Sequence, residues 1–226
     1  DGRYLPEVRR HSIQAVTGSF HVREFSMEKL RLPLKSDRVY TIGINPGSVV
    51  TSKRIDTVKR NENGDFVFDP ALDVAKLAVV ERHQGTGNVA LGLLQNYGIK
   101  TGAVALSIAH DSHNIIVVGT NDADMAFAVE QLLAQGGGIV LVNNGKMVEN
   151  MPMPIGGIMS DQTGEWVNQK LIALQAAAYD VLGVNPEVEP VMTLCFMSLA
   201  VIPEIKITDM GLFDVTQFAF IPLEAY

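Results

Sequence analysis

The sequence predicts an α/β (α+β) fold, a mixed β-sheet layered with helices and preceded by an extended connector. Three observations carry that prediction. "GAVALSIAH" and "NIIVVGT" are continuous apolar runs, the pattern of central strands covered on both faces. "NDADMAFAVEQLLAQGGG" and "SDQTGEWVNQKLIALQAAAYDVLG" combine polar starts, apolar residues at helical spacing and terminal glycines. "GIVLVNNGKMVENMP" turns on Asn144-Gly145, the dipeptide that enters a two-residue hairpin most cheaply. Strands interleaved with a few helices imply a layered sheet that is mixed rather than purely parallel.

The elements follow in order. Residues 1–36 carry scattered charge and only short apolar alternations, which predicts an extended connector running over another surface. Residues 37–226 read as one α/β domain. "RVYTIGIN" and "VVTSKRIDTVKR" are β-branched stretches separated by the turn "NPGS". "NENGD" is a hairpin-type turn at Asn63-Gly64, leading into "FVFD". "KLAVVERH" is a buried-type strand ending in polar groups. "GNVALGLLQNYG" fits a short helix capped by Asn88 and stopped by Gly98. After the two central strands comes the first helix, capped by Asn121 or Asp122 and stopped by Gly136 to Gly138. The second helix is capped by Ser160 or Asp161 and closed by Gly183, with Trp166 packing one face. "MTLCFMSLAVIPEIKITDMGLFDV" supplies a final apolar strand and an irregular tail.

Bulk properties exclude several functions. The chain has 226 residues, 47% of them apolar and 19% charged, enough for a sizeable core. A net charge of −7 argues against nucleic acid as a partner. No apolar stretch reaches the roughly 20 residues of a membrane span, so no membrane partner is expected. "DGRYLPEVRR" lacks the apolar core of a secretion signal, which makes the cytoplasm the expected location. The absence of an initiating Met suggests a fragment or a processed chain. The single cysteine, Cys195, excludes an internal disulfide and a thiolate-rich zinc site, and its apolar setting reads as a buried, inert thiol. The methionines read as core filler. His11 and His21 read as surface residues.

Two segments concentrate polar chemistry. In "SIAHDSHNIIVVGTND", one apolar strand delivers His110, Asp111, Ser112, His113 and Asn114 before the next begins. Such groups are costly to bury without partners, and sites form readily at strand ends. His110 and His113 could share one side of a turn and meet a metal, a carboxylate or a heterocycle. The same residues fit equally a hydrogen-bonded turn in which Asp111 and Asn114 satisfy the backbone. The second segment is "VVERHQGTGN", where Glu81, Arg82 and His83 end a strand and two glycines permit close backbone approach. It is neither a phosphate-binding loop nor a dinucleotide fingerprint, and it also fits a plain tight turn. "MPMPIGGIMSD" reads as a rigid connection that could present Ser160 and Asp161. No H-E-x-x-H, G-x-S-x-G or paired C-x-x-C is present, and one cysteine excludes the zinc deaminases that act on flipped bases.

The run from "VVERHQGTGN" through "SIAHDSHNIIVVGTNDADM", followed by "GGGIVLVNNGK", "MPIGGIMSD" and "MTLCFMSLAVIPEIKITDMGLFDV", resembles the C-terminal domain of bacterial and archaeal adenine deaminases, in the amidohydrolase superfamily. The similarity spans Arg38 to Val215, and "DGRYLPE" resembles the last strand of a preceding β-sandwich. The resemblance implies a hydrolase of purine metabolism that converts adenine and water to hypoxanthine and ammonia. It also implies a binuclear divalent metal site, manganese or iron, on a TIM-like barrel whose ligand signature this chain lacks. On this basis His110, Asp111 and His113 are expected as catalytic groups, and Glu81, His83, Ser112 and Asn114 as substrate-binding groups. No metal is expected in this chain, which is expected to be inactive alone. Its implied partners are adenine, its own N-terminal barrel and further copies in a homo-oligomer. Two alternatives stand beside this reading: a structural or oligomerisation module of the deaminase, and a free-standing metal-dependent α/β hydrolase using His110 and His113.

Overall fold

A computed structural model describes residues 12–225. Its strands are β1 (Arg38–Ile44), β2 (Thr51–Thr57), β3 (Lys59–Arg60), β4 (Phe66–Val67), β5 (Val74–Val80), β6 (Val89–Gln95) and β7 (Ala103–Leu106). They continue with β8 (Ile115–Gly119), β9 (Gly138–Asn143), β10 (Lys146–Pro152), β11 (Ile205–Thr208), β12 (Gly211–Asp214) and β13 (Ala219–Phe220). The helices are α1 (Asp122–Ala134), α2 (Gly164–Asp180) and α3 (Pro190–Cys195). Among the described residues an eight-stranded sheet runs β10-β9-β7-β8-β5-β6-β1-β2, and β11-β12-β13 form a smaller sheet. Within the large sheet β1 and β6 pair parallel and the other neighbours pair antiparallel, so the sheet is mixed, as the sequence predicts.

Period-two alternation builds a core on each face. On one face Leu77, Val79, Val104, Leu106, Ile116 and Val118 meet α2, α3 and the small sheet through Leu174, Leu194 and Ile207. On the other, Ala78, Val80, Ala103, Ala105, Ile115 and Val117 meet α1 through Met125, Val129 and Leu132. Burial on both faces is why these strands read as unbroken apolar runs. The Asn144-Gly145 hairpin forms between β9 and β10, with both residues at positive φ. Asn121 caps α1 by accepting from the Asp124 N–H.

Several boundaries differ from the sequence reading. "GNVALGLLQNYG" is not a helix: it is β6, zipped between β5 and β1, and those two partners override its helix-like ends. The α2 cap is Thr163, which accepts from the Trp166 N–H, rather than Ser160 or Asp161. "MTLCFM" is not a strand. Pro190 at the first helical position and the Glu189 carboxylate, which accepts from the Met192 N–H, start α3 there. The expected irregular tail is the ordered β11–β12–β13 sheet. Residues 12–36, expected as a connector, lie on the α1 face of this same sheet. There Leu30 is fully buried, while Phe20, Val22 and Phe25 pack against the same core. The opening "DGRYLPE" and His11 lie outside the described residues, and His21 is exposed. Among the described residues no helix is long and apolar enough to cross a membrane.

Candidate functional site

Antiparallel pairing of β5 and β8 sets Val80 opposite Ile115. The residues just beyond them, Glu81 to His83 and Ser112 to Asn114, therefore emerge side by side. Glu81, His83, Ser112 and Asn114, four groups singled out from the sequence, line one open cleft with Gln84, Thr86 and Asp209.

The Glu81 side of the cleft is a self-satisfied turn. One carboxylate oxygen accepts from the Gln84 N–H at 2.7 Å and from the His83 N–H at 2.5 Å. The other accepts from the Thr86 N–H at 3.0 Å and its hydroxyl at 3.1 Å. Burial alone would push the Glu81 carboxyl up, but these donors outweigh it and hold the group at about 2. Glu81 is ionised at neutral pH and shapes the loop. His83 is exposed, and its Nε2 lies 2.8 Å from the Ser112 carbonyl oxygen, which assigns the hydrogen to that nitrogen. Asn114 is buried. Its Oδ1 accepts from the Arg82 N–H at 3.2 Å, and its Nδ2 donates to Asp209 Oδ1 at 3.3 Å.

Arg82 turns away from the cleft. Its guanidinium, in a residue only 2% exposed, donates to the carbonyls of His113 and Gly156 and lies 4.4 Å from the Phe20 ring centroid. Burial pulls its pKa down to about 10. Ser107 closes the same wall: its hydroxyl donates to the Gly157 carbonyl at 2.5 Å and accepts from the Gly138 N–H at 2.8 Å.

The three groups expected as catalytic share the loop but do not line this cleft. His110 is exposed, pairs through Nδ1 with the Asp111 carboxylate, and stacks on Phe196 at 5.4 Å between ring centroids. The His113 ring lies 6.4 Å from that of His110. His113 Nδ1 is buried without a partner among the described residues. Burial lowers the His113 pKa, and the nearby Arg82 and His110 charges lower it further, so the ring is neutral at pH 7. The loop also satisfies its own backbone in part, since the His113 N–H donates to the Ala109 carbonyl at 2.5 Å. Ser160 and Asp161 hydrogen-bond to Gln162 and lie outside the cleft lining. Cys195 is buried, and desolvation pushes its thiol up to about 12.

Sequence reading missed three lining residues, Gln84 and Thr86 within "VVERHQGTGN" and Asp209 far from it. Asp209 sits in the β11–β12 turn and reaches the cleft from 95 positions beyond Asn114, with nothing in "TDMG" to mark it as more than a turn. Among the described residues no three His, Cys, Asp or Glu side chains gather as a metal-binding set. The donors of this chain's described part therefore do not fit the binuclear centre that the resemblance implies.

Fold and cleft together define a class: an α/β domain with an open, polar cleft where the strands of a mixed sheet end. The chain belongs to the adenine deaminase C-terminal domain family, whose model matches residues 48–219. It is 64% identical to adenine deaminase 2 of Desulfotalea psychrophila, covering 99% of this chain and 39% of that protein. It is 50% identical to the adenine deaminase of Ligilactobacillus salivarius, covering 98% of this chain and 38% of that one. A third relative, the adenine deaminase of Nitratidesulfovibrio vulgaris strain DP4, is 41% identical over 97% of this chain and 38% of its own length. The chain thus spans about two fifths of the relatives that it matches.

Proposed function

We propose that this chain is the C-terminal part of an adenine deaminase, which hydrolyses adenine to hypoxanthine and ammonia, and that its strand-end cleft completes the active site. The observation that carries the reading is the convergence of Glu81, His83, Ser112 and Asn114 on one cleft, in a chain of this family. The cleft volume of about 530 Å3 falls within the range of small-molecule sites, about 300–1,000 Å3. Its partners on this reading are adenine, the N-terminal barrel of the same polypeptide and further copies in a cytoplasmic homo-oligomer. Manganese or iron would be held by that barrel.

In the reaction water adds to the ring carbon bearing the amine, the carbon–nitrogen bond breaks, and protons pass from water to the departing nitrogen. His110, on the same loop but outside the cleft lining and paired with Asp111, is suited to relay one of those protons, since one ring nitrogen can take a proton as the other gives one. His113, neutral and beside it, is suited to accept or donate a hydrogen bond without adding charge. His83, Ser112 and Asn114 orient the ring, and Glu81 fixes the loop that presents His83. In the full-length protein, His110→Ala and Asp111→Asn are expected to lower kcat for adenine about 100-fold or more, with the melting temperature unchanged. Near-normal kinetics for both variants would remove His110 and Asp111 from the proton transfer, and a full-length protein without activity on adenine would refute the reading.

A structural or oligomerisation role is the second reading. It is favoured by exposed apolar side chains near the small sheet, Val201 at 70%, Met210 at 71% and Phe218 at 76%. Sizing the full-length protein with Met210→Lys and Phe218→Lys tests it: an unchanged assembly state speaks against this surface as the interface.

A further inference from the structure

The hydrogen-bond account of the cleft is uneven. A carboxylate has about four acceptor sites. Glu81 fills all of its own, with three backbone N–H groups and the Thr86 hydroxyl. The Ser112 carbonyl is engaged by His83, and the Asn114 carbonyl by the Arg82 N–H. Asp209 differs. Each of its oxygens takes a single amide donor, Oδ1 from Asn114 Nδ2 and Oδ2 from Asn88 Nδ2, both at 3.3 Å. Among the described residues no lysine, arginine or histidine forms an ion pair with it. Of the two carboxylates that line the cleft, Asp209 is thus the one with unused acceptor capacity.

The two amides also aim that carboxylate. Asn114 cannot flip without setting its amide nitrogen against the Arg82 N–H, so the orientation of the network is fixed. Asn88 holds the opposite oxygen from the start of β6. A carboxylate so placed, uncompensated by a cation, attracts N–H donors and disfavours anions.

We propose that Asp209 is the substrate-facing acceptor of this cleft, taking the exocyclic amine edge of a planar heterocycle. The proposal rests on the reading that the cleft faces adenine, and it adds the residue that distinguishes an aminated ring from one without the amine. Phosphorylated ligands are disfavoured, because Glu81 and Asp209 line the cleft and no lysine or arginine does.

The test compares adenine with purine, which lacks the amine, in the full-length protein. KM for adenine and the inhibition constant of purine are measured for the wild type, Asp209→Asn and Asp209→Glu, with melting temperatures as the check on folding. The expected result for Asp209→Asn is an adenine KM about tenfold higher, with purine inhibition changed less than twofold. Asp209→Glu, which keeps the charge, is expected to retain part of the preference for adenine. Equal losses for both ligands, or no loss for either, overturn the proposal while leaving adenine deamination standing. Should Asp209→Asn fail to fold, an Asp209→Glu variant with unaltered discrimination and unaltered KM overturns it equally. A wild-type protein that neither binds nor deaminates adenine overturns the proposal and the functional reading together.

Discussion

At the scale of single residues, the site depends on how each charge is satisfied. Glu81 is 5% exposed and accepts four hydrogen bonds, so its ionised form is worth more in the folded state than in the unfolded one. With its carboxyl lowered from 4.5 to about 2, the stability it contributes is complete above about pH 4.5 and is lost as pH falls towards 2. Glu81→Gln, which replaces one acceptor oxygen by a donor, is expected to cost about 2 kcal/mol at neutral pH. Denaturant unfolding at several pH values checks this: the deficit should shrink on acidification through that window. A deficit independent of pH would mean that Glu81 is already protonated in the folded protein. Arg82 presents the opposite case, a buried cation held by carbonyl groups and an aromatic face rather than by a carboxylate. It ties the His113 backbone to the Gly156 turn and so links the loop to the rest of the fold.

At the scale of elements, strand ends decide where chemistry gathers, and backbone crowding decides which ends can close. Gly138 opens β9 at φ +109, and a Cβ there would stand 2.0 Å from the Met151 carbonyl oxygen. Gly145, in the hairpin at φ +69, has nothing within 4 Å of its corresponding position. Gly138→Ala should therefore cost at least about 3 kcal/mol and Gly145→Ala about 1 kcal/mol, as read by equilibrium unfolding. Comparable costs would contradict the packing described. The same elements show what a sequence can disclose. β7 and β8 were legible because double-sided burial leaves unbroken apolar runs, and α1 because its cap and spacing agree. β6 was not, because "VALGLLQ" suits either period and its partner β1 lies far back in the chain. α3 carried a usable signal in Glu189-Pro190, masked by the apolar run behind it. The clustering of Glu81, His83, Ser112 and Asn114 was legible as polar breaks at strand ends. Asp209 was not, because only the folding of the β11–β12 hairpin against β6 brings it there.

At the scale of the whole molecule, two faces of one sheet do different work. The α2 and α3 face, with the small sheet, carries the largest core and presents Asp209 to the cleft. The other face is closed by α1 together with residues 12–36, whose Leu30 is fully buried and whose backbone carbonyl accepts from Lys76 Nζ at 2.8 Å. That stretch is part of the folded unit. Leu30→Ala is expected to destabilise it by about 2–5 kcal/mol, read by denaturant unfolding, whereas a change under 0.5 kcal/mol would mark the stretch as a detachable connector. On the proposed function, the Ser112 to Asn114 turn sits against the purine in the full-length protein. Thiol chemistry can test it directly, because native Cys195 is buried with its thiol held near 12 and reacts poorly. The measurement is the alkylation rate of Ser112→Cys in the full-length protein, followed on that peptide by mass spectrometry, with and without saturating hypoxanthine. The expected result is at least about tenfold protection by the product; an unchanged rate would place the turn in open solvent, away from the reaction.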